Sequence, residues 1–280
     1  MSLGLISLML TAAALHAAWN VVVKAAPDQR AEVVLVALVA GIVAGSALPL
    51  LPFPAVSVWP YLAASVLLQF LYFQLLGLVY RHGELSYAYP LMRGTAPLLT
   101  ALAGVIAVGE DLGPGAWIGV LLLSSGVLML GADQLQARRF GWSVTGFGVL
   151  NAMVIAGYTI VDGIGIRMCA VPWSYIAWLF FLNGVTLTVH TGAGAPWRFL
   201  EYAAARWRTG LWCGLSMTAA YGIALWAMTR APLAMVAALR ETSVLFATAF
   251  AAAFLKERFG AIRCVAVALV TAGAIAMKVW

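Results

Sequence analysis

The sequence predicts an all-α integral membrane protein, with ten transmembrane helices arranged as two inverted five-helix repeats. Three observations carry that expectation. Of 280 residues, 64% are hydrophobic and 9% charged, against roughly 45–50% and 25% in soluble domains, whose surface must face water. Charged, Pro-rich and Gly-rich punctuation divides the chain into ten apolar runs, each about 20 residues, the length a helix needs to cross a hydrocarbon core. Finally, residues 93–126 align without a gap on residues 240–273.

The first run, 3–23, lacks the basic leading segment of a cleaved signal and is followed by many similar runs, so it reads as a retained helix. Run 32–51 carries Gly41 and Gly45, small residues that let helices approach closely. Run 58–80 holds Gln69, Tyr72, Gln74 and Tyr80. Run 86–108 has Pro90 and Pro97 on either side of Arg93, and the missing backbone donors allow a kink there. The others are 115–132, 143–165, 172–190, 209–229, 232–255 and 261–279, and the longest connectors are 133–142 and 191–208, neither long enough to fold alone.

The alignment pairs Arg93 with Arg240, Thr95 with Thr242, Leu98 with Leu245, Glu110 with Glu257, Gly113 with Gly260, Val120 with Val267, Leu122 with Leu269 and Gly126 with Gly273. Two charged residues and two glycines in register favour a duplication, dividing the chain into 1–137 and 138–280. Five spans per copy is an odd number, so the second copy enters the membrane upside down. That arrangement suits a transporter, because rocking of inverted repeats exposes one midplane site to either side in turn. Eleven of the sixteen bases fall on the connectors after spans one, three, five, seven and nine, and three on the opposite side. This count places both termini outside.

The repeated unit, a helix ending in Gly109-Glu110, then Pro114, then a helix dotted with Gly119 and Gly126, resembles the EamA-type repeat of the drug/metabolite transporter superfamily. The second copy reads Lys256-Glu257-Arg258-Phe259-Gly260 through to Gly273, with Lys256 where the motif has glycine. The opening His16-Ala17-Ala18-Trp19-Asn20 with Lys24 is similar to the first-helix signature of some members. The resemblance implies ten helices, alternating access in the bacterial inner membrane and export of small metabolites, amino acids and aromatic amino acids among them. It also implies cytoplasmic termini, against the base count.

Ionisable groups inside a span cost roughly 2.5–3.5 kcal/mol on insertion scales and need a partner or a cavity. His16, Asn20 and Lys24 form one helix face beside Trp19, and Asn151, Ile155, Tyr158 and Asp162 form another. Arg93 and Arg240, in matching positions, are candidates to hold a substrate carboxylate at different depths. The expected binding residues are His16, Trp19, Asn20, Tyr72, Tyr89, Arg93, Tyr158, Tyr221 and Arg240, with Asp162, Glu241 and His16 available for proton coupling. The alternative for the arginines is pairing with local acids. Glu110 and Glu257 are expected to cap the start of the helix that follows each.

Other classes fit less well. The bases form no run with interleaved aromatics, which argues against nucleic acid as a partner. Cys169, Cys213 and Cys264 lack metal or disulfide spacing, and no metal or cofactor is expected. There is no phosphate-binding Gly-rich motif for an ATP-driven pump, no hydrolytic constellation for an intramembrane enzyme and no charged ring for a channel. The expectation is a non-enzymatic secondary transporter that works as a monomer among membrane lipid on a small-molecule substrate, with nucleotide-linked or other small organic anions as the alternative cargo.

Overall fold

The computed structural model describes residues 2–82, 85–136, 142–192, 196–255 and 261–279. Eleven α-helices run through them: α1 Leu3–Lys24, α2 Gln29–Ala47, α3 Trp59–His82, α4 Leu85–Ala103, α5 Pro114–Gln136, α6 Trp142–Met168, α7 Pro172–Gly192, α8 Pro196–Ala227, α9 Leu233–Arg240, α10 Ser243–Leu255 and α11 Ala261–Val279. No strand occurs among the described residues. Among the described residues six segments are long and apolar enough to cross a membrane: Leu3–Lys24, Gln29–Leu50, Val56–Leu76, Tyr89–Val108, Val144–Met168 and Trp197–Ala227. Pro114–Leu130 and Ala261–Met277 are shorter apolar helices.

Local chemistry sets many of the helix ends. Ser2 accepts from the Leu5 amide at 3.3 Å and Asp28 from the Ala31 amide at 2.9 Å, N-caps that satisfy otherwise orphaned donors. Pro114, Pro172 and Pro196 open their helices, where the missing N–H costs nothing. After α4 a single π-type turn, Gly104–Val108, ends on Gly109 at φ 71°, the left-handed conformation that favours glycine. Gly109 thereby turns Glu110 out of the helix line.

Two boundaries differ from the sequence expectation. The ninth apolar run is two helices, α9 and α10, broken at Glu241-Thr242. The amides of Glu241, Thr242, Val244 and Leu245 donate three residues back rather than four, so the segment passes through tight turns. By contrast α4 runs as one helix through both Pro90 and Pro97. The expected connector 191–208 is helical from Pro196, and α8 has a non-helical residue at Arg206 (φ −118°, ψ 16°). Its first turns expose Trp197, Leu200 and Trp207 beside Arg198 and Arg208. Arg198, Glu201, Arg206 and Arg208 give this start the composition of a connector, although it is helical.

Packing is closest where glycines meet backbone. A Cβ on Gly273 would lie 2.7 Å from the Gly119 oxygen, and one on Gly126 2.8 Å from the Ala266 oxygen, so α5 and α11 touch along their axes. Gly41 and Gly184 bring α2 and α7 together in the same way. In lipid, close van der Waals approach replaces the hydrophobic drive between helices.

Candidate functional site

The polar residues of the bundle converge on the α9–α10 break. Arg93 on α4 and Glu241 at the break are both buried, 4% and 3% exposed, and Arg93 Nε lies 2.8 Å from Glu241 Oε2. Neither atom meets hydrogen-bond geometry, and Arg93 Nη2 has no hydrogen-bond partner. The contact is therefore a close ion pair rather than an aligned fork. The guanidinium also sits 6.0 Å from the Tyr89 ring centroid.

Arg240, the residue before Glu241, is in a different state. Its guanidinium carbon lies 4.6 Å from the centroid of Tyr221 on α8, a cation–π contact. Among the described residues no carboxylate lies within ion-pair distance of it. Ala12, Ala13, His16, Ala220, Tyr221 and Arg240 enclose a cavity of about 10 Å³, room for about one water. The small alanines let α1 and α8 close in on the two polar side chains. Glu241, which pairs with Arg93, directly follows Arg240 in the chain, so the two arginines lie in one neighbourhood.

Behind Tyr221 lies Asp162 on α6, fully buried. Its Oδ2 accepts from the Tyr221 hydroxyl at 2.6 Å and from Gln69 Nε2 at 3.4 Å, and its Oδ1 accepts from Tyr175 at 2.9 Å. Gln69 in turn accepts from Asn183 Nδ2 at 3.1 Å. Hydroxyl and amide dipoles thus solvate a carboxylate that no cation contacts among the described residues. Tyr158 stands edge-to-face to both Tyr72 and Tyr221 at 6.2 and 6.3 Å between centroids. His16, Tyr72, Tyr89, Arg93, Tyr158, Tyr221, Arg240, Asp162 and Glu241 are therefore assembled in one region.

Two expected members sit apart. Trp19 touches His16 edge-on at 5.4 Å but packs with Val23, Val36 and Cys213. Asn20 donates to the His16 carbonyl of its own helix at 2.7 Å. Glu110 caps a helix start, but of α9 rather than α5: the Leu233 amide donates to its two carboxylate oxygens at 3.0 and 2.8 Å. Arg167, one of the three bases on the side opposite the eleven, pairs with Glu110 at 2.7 Å and donates to the Met228 and Ala231 carbonyls. Glu257, Gly260, Lys256, Arg258, Arg138 and Arg139 lie outside the described residues, as does the side chain of Tyr80. Tyr175 and Asn183 were not singled out from sequence. An isolated tyrosine and asparagine in an apolar run carry no spacing that points to a partner on another helix.

A stretch of 72 residues, 26% of this chain, is 39% identical to the multidrug resistance protein EbrA of Bacillus atrophaeus and covers 69% of that protein. The chain belongs to EbrA's family. With its apolar helices of spanning length, it is an integral membrane protein of the plasma membrane and a membrane transporter. No family model matches the chain. A solved crystal structure is similar over 100% of this chain and 98% of its own, with a TM-score of 0.76 at 18% identity. That likeness is one of fold.

Proposed function

We propose that the protein is an EamA-type secondary transporter of the drug/metabolite transporter superfamily, which exports small amino-acid-like metabolites, aromatic ones among them, by alternating access. The observation that carries the cargo reading is Arg240, a guanidinium on the face of Tyr221 at the cavity wall with no acid partner among the described residues. A desolvated arginine so placed suits a carboxylate, the Tyr221 and Tyr158 rings suit an apolar side chain, and Asp162 beyond Tyr221 suits an ammonium. The cavity holds about one water, so loading requires the helices around it to part.

The ten-helix, inverted-repeat architecture with halves 1–137 and 138–280 is supported by which helices pack. Exchanging the halves sends α1 to α6, α3 to α8, α2 to α7 and α5 to α11. The α1–α8 contact then becomes α6–α3, while α2–α7 and α5–α11 become themselves, and all four pairs are in contact. A second reading, export of drug-like cations, is favoured by EbrA's name together with the cation-free Asp162 carboxylate.

Counterflow in proteoliposomes tests the proposal. Internal unlabelled phenylalanine is expected to accelerate uptake of labelled phenylalanine saturably. Absence of exchange in protein that is folded contradicts the cargo reading, and competition by lipophilic cations but not amino acids would select the second one.

A further inference from the structure

We infer that Glu241 is the residue that sets cargo charge, by occupying Arg93 as an internal carboxylate so that the site offers one free guanidinium and admits cargo with one carboxylate. The inference rests on the cargo reading above. Arg93 and Arg240 occupy matching positions in the 93–126 and 240–273 alignment, but the residues that follow them differ: Gly94 in one copy, Glu241 in the other. Glu241 reaches across to Arg93 at 2.8 Å. No acid can make the reciprocal reach from α4, because a Cβ on Gly94 would lie 2.6 Å from Leu128 Cγ. Packing of α5 against α4 therefore enforces the asymmetry.

The charges follow directly. Two guanidiniums face one carboxylate among Arg93, Arg240 and Glu241, leaving a single positive charge toward the cavity. Asp162 lies on the far side of Tyr221 and is held by Tyr175, Tyr221 and Gln69 rather than by an arginine. A second carboxylate on the cargo would meet Glu241 and Asp162 with no further free guanidinium among the described residues of the site to receive it, and like charges juxtaposed in a desolvated site repel. Arg93 retains donor capacity, since Nη2 is unpartnered and Nε is not aligned on Glu241. Removing the Glu241 charge exposes a second carboxylate subsite.

The test is competition against phenylalanine counterflow by two analogues of nearly equal shape, 4-carbamoyl-phenylalanine and 4-carboxy-phenylalanine. In the wild type the neutral analogue competes and the anionic one competes poorly. In Glu241→Gln the preference shifts toward the anionic analogue by about tenfold or more, while Glu241→Asp, which keeps the charge, stays with the wild type. Should Glu241→Gln fail to fold, Arg93→Gln makes the opposite prediction: with Glu241 unpaired, 4-aminomethyl-phenylalanine gains over 4-carbamoyl-phenylalanine. A wild-type analogue ratio in either folded variant overturns the inference. Lack of phenylalanine exchange in the wild type overturns the cargo reading and the inference with it.

Discussion

One short segment is written twice in this chain, as Arg93-Gly94-Thr95 and as Arg240-Glu241-Thr242, and the two copies reach opposite electrostatic states. The first lies within a helix that stays continuous despite two prolines, and its arginine is buried against a carboxylate. The second lies where the helix breaks, and its arginine rests on an aromatic face at a cavity wall. A single difference, glycine against glutamate, separates them. The comparison teaches that a matched pair of buried charges need not share a role: one arginine locks the two segments together, and the other is left available.

The largest effect expected on that comparison is from Arg93→Met. It strands the Glu241 carboxylate in the interior, and breaking a buried pair from one side costs about 3–5 kcal/mol. Thermal unfolding in detergent should show a severe loss, and Arg93→Met with Glu241→Leu should recover much of it, because no lone charge remains. Gly94→Ala comes next: the added methyl meets Leu128, and overpacking of this kind costs about 1–3 kcal/mol. Arg240→Met removes a cation–π contact, about 0.5–2 kcal/mol, and no ion pair among the described residues, so it should fold and unfold near the wild type while losing transport. Thr242→Val deletes the hydroxyl that donates to the Leu239 carbonyl at 2.6 Å, a change of about 0.5–1.5 kcal/mol. If Arg240→Met proves as destabilising as Arg93→Met, the asymmetry between the copies is wrong.

Much of this fold was legible because lipid imposes a simple rule: apolar runs of spanning length become helices, as 3–23, 143–165 and 172–190 did within a few residues. The break at Glu241-Thr242 was not, since it contains neither proline nor glycine. The prolines that do occur, Pro90 and Pro97, drew attention to the matching helix, which is continuous. The start of α8 was hidden because Arg198, Glu201, Arg206 and Arg208 make its first turns polar.

The candidate site was legible to the extent that charges inside apolar runs stand out, which marked Arg93, Arg240, Asp162 and Glu241. Which charge pairs with which was not legible. Glu241 meets Arg93, and Glu110 meets Arg167 and the Leu233 amide, across long separations in sequence that only packing can bring together. Glu32 illustrates the same point: buried on α2, it is held by Tyr202 and Arg206 at the bend of α8.

The most direct test of Arg240 as the free cation awaiting a carboxylate compares phenylalanine with phenethylamine, which lacks only that group. Binding to purified wild-type protein and to Arg240→Met can be measured by calorimetry, with folding of each confirmed by its unfolding temperature. The wild type is expected to prefer phenylalanine by about tenfold or more, and Arg240→Met to lose the preference. An Arg240→Met protein that is folded and keeps the wild-type preference would contradict that role for Arg240.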